Sequence, residues 1–224
     1  MKKLVLLFAV TVLTSVMSFA QMEEGHISFD IDVSSEEEGM EMAVMMFSGS
    51  TLDLYFADDK ARTDMDMGTM MSISTIIDNS TGEILMLMGG MMGEKAIKTT
   101  SEEMNVEEEE EPEYKVELTK EKKTIAGYKC KKAIVTDEDG DEMEYWYTED
   151  IKTNTPDSKS VLAQLPGQAL EYSIDKNGML MSFKASKVET TLSSADKKEK
   201  FSMAMPEGYE EMTFEEFSAM GGGM

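Results

Sequence analysis

The sequence predicts a mainly β protein (α+β) built on an antiparallel sheet, with about ten strands and two or three short helices. Three observations predict it. Apolar and polar residues alternate over short runs through most of the chain. Turn residues such as Asp58-Asp59, Asn79-Ser80-Thr81-Gly82, Asp139-Gly140 and Asn177-Gly178 separate those runs. No strand–helix–strand alternation of the kind that builds a parallel sheet is present.

Ile27, Phe29, Ile31 and Val33 alternate with His26, Ser28, Asp30 and Asp32, the signature of a half-buried strand. Leu52, Leu54 and Phe56 repeat it. After a turn, Ala61, Thr63, Met65 and Met67 face one way and Arg62, Asp64 and Asp66 the other. Met70 to Ile77 is apolar on both faces apart from Ser and Thr, which suits a central strand. Ile84 to Met88 and a short edge strand over Lys95 to Thr99 complete a first half. A Glu-rich segment, Glu102 to Glu113, reads as a solvated loop, because packed carboxylates would repel one another. The second half resumes with Tyr114, Val116 and Leu118. Ile125–Val135 and Met143–Thr148 then flank an Asp-Gly hairpin turn. That acidic turn lacks the ligand spacing of an EF-hand, so a hairpin is preferred to a calcium loop. A short helix is expected between Pro156 and Leu165. Leu170, Tyr172 and Ile174 form a hairpin with Met179, Met181, Phe183 and Ala185. Phe201, Met203 and Met205 read as a last strand, and Thr213 with Glu216 as the capping box of a terminal helix.

The chain begins with Lys2-Lys3, an uncharged apolar run Leu4–Val16 and the small residues Ser18 and Ala20. This predicts a signal peptide over residues 1–20 with cleavage between Ala20 and Gln21, and a periplasmic or secreted protein. The apolar run is shorter than the roughly 20 residues that span a bilayer, so no transmembrane segment is expected. Residues 21–220 are expected to form one β-rich domain with the acidic loop at 102–113, and residues 221–224 a disordered tail.

Composition excludes several functions. A net charge of −24 disfavours nucleic acid as a partner. One Cys and one His leave no material for a disulfide framework or a conventional zinc site. His26 is expected to be an exposed strand residue, and Cys130 a buried thiol. No nucleophile motif surrounds either, and no phosphate-binding glycine loop is present, so no catalytic residue, enzyme activity or cofactor is expected.

Methionine stands out, with 24 residues. Met40/Met42, Met65/Met67, Met86/Met88, Met179/Met181 and Met203/Met205 are Met-x-Met pairs, and on strands each pair projects from one face. Flexible, polarizable thioethers fill irregular space and adapt to apolar guests. Met40, Met42, Met65, Met67, Met86, Met88, Met179, Met181 and Phe183 are therefore the candidate residues for a hydrophobic ligand, a lipid or acyl chain. Two readings compete: Met packing as core in an interaction domain, and soft-metal binding of Cu(I) by Met86, Met88, Met91 and Met92. Oligomeric state is left open.

The runs Ala61-Arg62-Thr63-Asp64-Met65-Asp66-Met67-Gly68, Thr75-Ile76-Ile77-Asp78, Leu85-Met86-Leu87-Met88 and Met205-Pro206-Glu207-Gly208-Tyr209 resemble domain-of-unknown-function family 4412, a group of exported bacterial domains. Ile125-Ala126-Gly127-Tyr128-Lys129-Cys130, Tyr145-Trp146-Tyr147-Thr148 and Leu165-Pro166-Gly167 are similar to the GLPGLI proteins, although Gln168-Ala169 replaces their Leu-Ile. The resemblance implies a curved sheet or half-barrel like that of the lipoprotein carriers LolA and LolB. The concave face of that fold takes acyl chains. It implies no catalytic residues.

Overall fold

In the computed structural model, residues 22–68, 71–91, 93–104, 114–138, 140–153, 161–176 and 178–219 are described. The expected signal peptide, residues 105–113 of the Glu-rich segment, the tail 221–224, Met70, Met92 and Asn177 lie outside them. Two meanders make the sheet. The first runs β1 (Gly25–Ser34), β2 (Thr51–Ala57), β3 (Lys60–Asp66), β4 (Met71–Asp78), β5 (Glu83–Gly90) and β6 (Lys95–Thr100). The second runs β7 (Lys115–Ile125), β8 (Tyr128–Thr136), β9 (Glu142–Thr148), β10 (Gln168–Lys176) and β11 (Met179–Glu189). They join where β1 pairs antiparallel with β11, and a two-residue β12 (Glu210–Glu211) adds in parallel to β6. The order β12-β6-β5-β4-β3-β2-β1-β11-β10-β9-β8-β7 leaves two edges, so the large curved sheet does not close. Edge strand β7 carries Lys115, Lys120, Lys122 and Lys123, charges that discourage pairing with another chain.

Register divides the residues between two faces, because cross-strand partners share a face. One, the core face, carries the rows Phe29–Leu52–Met65–Ile73–Met88 and Ile27–Leu54–Thr63–Thr75–Met86–Ile97. In the other meander it continues through Ile31–Phe183–Tyr172 and Val33–Met181–Ile174. The main buried cluster lies here, including Ile27, Phe29, Leu54, Phe56, Tyr145, Tyr147, Leu170 and Phe183. On the opposite face, Ile76, Leu85, Leu87 and Ala96 form a smaller cluster.

The chain after β11 covers that second cluster. Helix α3 (Ser194–Lys200, numbered after α1, Glu41–Phe47, and α2, Ser101–Met104) opens with a Ser193/Asp196 capping box. Arg62 donates from Nη1 to the Lys200 carbonyl at 3.2 Å, and the Lys200 ammonium lies 4.4 Å from the centre of the Tyr55 ring. Met203, Met205 and Tyr209 then pack on Ile76, Leu85, Leu87 and Ala96. This strap ends in β12 and α4 (Phe214–Ala219), whose Thr213/Glu216 capping box forms as expected.

Three elements depart from the sequence reading. Phe201–Met205 is no strand: its alternating apolar residues press on the sheet beneath, which gives strand periodicity without lateral partners. Met42 lies in α1, with Met40 at its N-cap, so this pair has helical and not strand geometry. Residues 102–104 of the expected acidic loop belong to α2. Of the expected 156–165 helix, the described part is a 3₁₀ turn over Val161–Gln164.

Local chemistry fixes the turns. At the β7–β8 hairpin, Ala126 and Gly127 both have positive φ, +47° and +88°, as a type I′ turn requires. Glycine bears this freely; alanine is strained there by about 1 kcal/mol. Ala126→Asn is therefore expected to raise stability by about 1 kcal/mol and the thermal midpoint by roughly 3 °C, checked by calorimetry.

At the end of β4, the Asp78 carboxyl accepts from the Lys60 ammonium, the Ser80 hydroxyl (2.5 Å) and the Ser80 N–H (3.0 Å), which lower its pKa to about 2. The folded value lies below that of a free carboxyl, so the interaction stabilises fully above about pH 4 and is lost as pH falls towards 2. Asp78→Asn should lower stability at neutral pH and flatten the stability–pH curve over that acid range. Denaturant titrations at several pH values read both effects.

Candidate functional site

The strand ladders bring most of the candidate residues to one face. Met65, Met86, Met88, Met179, Met181 and Phe183 all belong to the core face, and Met67, just past β3, is buried where its N–H meets the Met71 carbonyl at 2.9 Å. Met40 and Met42 are not on this surface, because they belong to the α1 connection. Of the alternative set Met86, Met88, Met91 and Met92, Met88 is buried and Met91 exposed beside the β5–β6 turn, and Met92 lies outside the described residues.

A cavity of about 590 Å³ opens on the same face, between the β1–β3 sheet and the chain leading into β10. Phe29, Leu52, Leu54, Thr63 and Tyr172 form its sheet wall; Leu162 and Leu165 close it opposite. None of the nine candidate residues lines it. Met65 stands beside Leu52 across the β2–β3 ladder, and the Phe183 ring stacks on Tyr172 at 4.8 Å. Tyr172 is itself stacked on Tyr145 at 5.6 Å and meets Phe29 edge-on at 6.3 Å. Burial pushes the Tyr145 hydroxyl up to about 12, and Tyr172 up as well, so both rings stay neutral.

The Leu165-Pro166-Gly167 segment shapes the opposite wall. Leu165 is buried, and a Cβ on Gly167 would lie 2.1 Å from the Thr148 carbonyl oxygen, so only glycine lets this segment lie against β9. Polar groups are few. Thr153 donates to the Gln168 side-chain oxygen at 2.8 Å, and Lys152 at the rim has no ion-pair partner among the described residues. Volume and composition match a small-molecule site: mostly apolar, with a few polar groups at one side.

A second cavity, about 950 Å³, lies by the β7–β8 turn among Glu23, Glu24, Lys122, Lys129, Lys131, Glu149 and Asp150. Met22, Gly127, Tyr128 and Thr148 share its lining with these charged side chains. Cys130 borders it but is fully buried, and burial pushes its thiol up to about 11. A thiol with that value is almost wholly protonated at neutral pH and a poor nucleophile.

Sequence reasoning missed one polar cluster. His26 is not the exposed residue expected: it is half-buried and stacked on Tyr55 at 4.2 Å. Its Nδ1 contacts Glu189 at 2.9 Å and its Nε2 contacts Asp53 at 2.6 Å, bridging β1 to both neighbouring strands. The His26 contact, with Lys187, holds the Glu189 carboxyl below the usual carboxylate range. Ser28 Oγ lies 3.2 Å from Nε2, which together with Glu189 imitates a hydrolase triad. Its proton, however, goes to Asp53 at 2.7 Å, and carboxylates occupy both ring nitrogens. Asp53 Oδ1 lies closer to Nε2 than Ser28 Oγ does, and it takes the contacts of both groups. The cluster therefore pins strands. The i, i+2 spacing of His26 and Ser28 was visible in the sequence; the partners needed the β1–β11 register.

Fold and cavity together define a β-sheet protein with an apolar pocket on one face. The chain belongs to the family described as N-glycanase peptide, N-terminal domain, whose profile matches residues 66–213. That family is neither family 4412 nor the GLPGLI proteins, which the sequence motifs resemble. No curated protein sequence matches the chain. Among solved structures it is similar to PNGF-II, with 17% identity over 88% of this chain and 32% of that one and a TM-score of 0.46. MucB shows 14% identity over 84% of this chain and 60% of its own, with a TM-score of 0.42. A LolA superfamily protein from Nitrosomonas europaea shows 8% identity over 79% of this chain and 90% of its own, with a TM-score of 0.22. The chain thus spans about a third of PNGF-II and three fifths of MucB.

Because Cys130 is buried and protonated, iodoacetamide should leave the native protein unmodified at mildly alkaline pH and label it once denatured. Mass spectrometry of the intact chain reads the difference.

Proposed function

We propose that this domain is a non-catalytic, exported binding module that holds an apolar ligand with an anionic head, such as a fatty acid, against the core face of its sheet. The observation that carries the reading is the cavity bounded by Phe29, Leu52, Leu54, Tyr172, Leu162 and Leu165, with Lys152 at its rim. The aromatic and aliphatic walls would take the chain, and Lys152 the head group. In a protein of net charge −24, an ammonium beside an apolar pocket, with no ion-pair partner among the described residues, is a selective feature. Met65 and Met88 continue the row of Phe29 and Leu52, so longer chains would meet adaptable thioethers beyond the pocket. Export rests on the leader-like residues 1–20, and the periplasm or exterior would be the place of action. The family's name ties related domains to N-glycanases; in such a protein this domain would bind and another part would catalyse.

A fluorescent fatty acid should be taken up by the protein and displaced by an unlabelled one. Thr63→Trp, which fills the cavity, should abolish uptake while the thermal midpoint shows that the fold persists. Lys152→Glu should weaken uptake of the acid by about fivefold and leave a neutral alcohol of the same length unaffected. Uptake that is absent in the native protein, or unchanged by Thr63→Trp, contradicts the proposal.

A further inference from the structure

A different part of the molecule carries a second binding chemistry. Helix α1 crosses from β1 to β2 at the end of the sheet that also holds the β5–β6 and β10–β11 turns. Its seven residues divide into two sides. Ala43, Val44 and Phe47 are half-buried, and Met42, Met45 and Met46 are exposed at 74%, 75% and 41%. On an ordinary surface helix the solvent side is polar. Here, apart from Glu41, it is thioether, and no residue of the helix is buried. Core packing therefore does not account for these three methionines.

Their spacing is i, i+3, i+4, which places three side chains together on one helical face. Each is long and unbranched, with a sulfur that can turn towards a common point. Three converging thioethers are a ligand set for a soft monovalent cation and a poor one for calcium, magnesium or zinc. The surroundings favour a cation: Glu36, Glu37, Glu38 and Glu41 are all exposed beside the helix, and the chain carries a net charge of −24. Glu37 is set against the β10–β11 turn, where its carboxyl atoms lie 2.4 to 2.8 Å from the position a Cβ on Gly178 would take, and Ser35 donates to the Gly178 carbonyl at 2.6 Å. The acidic approach to α1 is thus anchored to the sheet.

We propose that Met42, Met45 and Met46 on α1 form a thioether site for Cu(I), drawn in by the neighbouring carboxylates and selected by the sulfurs. The site is separate from the apolar cavity and independent of the function assigned to it. It also differs from the Met86, Met88, Met91 and Met92 set.

The test uses the full chain and Ag(I), a redox-inert soft ion, followed by Cu(I) held in a competing chelator. Native mass spectrometry should show a single bound ion, and the methyl resonances of Met42, Met45 and Met46 should shift. The triple variant Met42→Leu/Met45→Leu/Met46→Leu, which changes only exposed side chains, should lose the ion at an unchanged thermal midpoint. Met86→Leu/Met88→Leu/Met91→Leu should retain it. Undiminished binding in the first variant, displacement of the ion by millimolar Ca²⁺, or failure of the native protein to take Ag(I) would each overturn the proposal. Fatty-acid uptake should be the same with and without the ion, so the two sites stand or fall separately.

Discussion

The antiparallel ladder between β1 and β11 is the constraint on which the rest of the molecule depends. It pairs His26 with Glu189, 163 positions apart, and in the strand order it is where the meander β1–β6 meets the meander β7–β11. Each meander is made of local hairpins that close cheaply; the seam requires closure of almost the whole described chain. Its energy comes from both sides of the strand pair. On the core face, Ile31 meets Phe183, Phe29 meets Ala185, and the Tyr145–Tyr172–Phe183 stack locks the neighbouring strands. On the other face, His26 holds Asp53 and Glu189 together.

From that seam follows the division of the sheet. The core face is apolar across both meanders, and its cavity lies where they meet: Phe29, Leu52 and Leu54 come from the first, Tyr172 and Ala169 from the second. The opposite face is polar near the seam and apolar only towards β4–β6, where the strap from α3 to β12 covers it. A strand apolar on both faces, as Ile73–Ile77 is, needs a cover on each. The strap is that cover, and Arg62, Asp64 and Lys200 fix its path. Among the described residues, five of the six exposed large apolar side chains, all but Leu118, fall at the end of the sheet that bears α1.

Much of this was legible in the sequence. Alternation located the strands, the turn residues located the hairpins, and the Thr213/Glu216 capping box located α4. Met-x-Met spacing correctly assigned Met65, Met86, Met88, Met179 and Met181 to strand faces, and register then showed that the face is shared. Period-2 patterning misled at Phe201–Met205, because alternation records a buried face and says nothing of lateral hydrogen bonds. Met40 and Met42 misled because a pair two apart fits a strand, whereas Met42, Met45 and Met46 together fit a helix. The α3 helix was missed, although Ser193 and Asp196 with Lys197, Lys198 and Lys200 at its C-terminal end are the signal that could have found it. The cavity was not legible. Its walls come from β1, β2, β3, β10 and the segment 152–168, and only the seam between the meanders brings them together.

The account's central claim is that the seam creates one ligand-binding face and that the other face is closed by the strap. Methyl NMR with a spin-labelled fatty acid tests it most directly. The account predicts broadening of the methyl signals of Leu52, Leu54, Thr63, Leu162 and Leu165, with Ile76, Leu85 and Leu87 unaffected. Broadening centred on Ile76, Leu85 and Leu87, or uniform weak broadening over the whole chain, would contradict it.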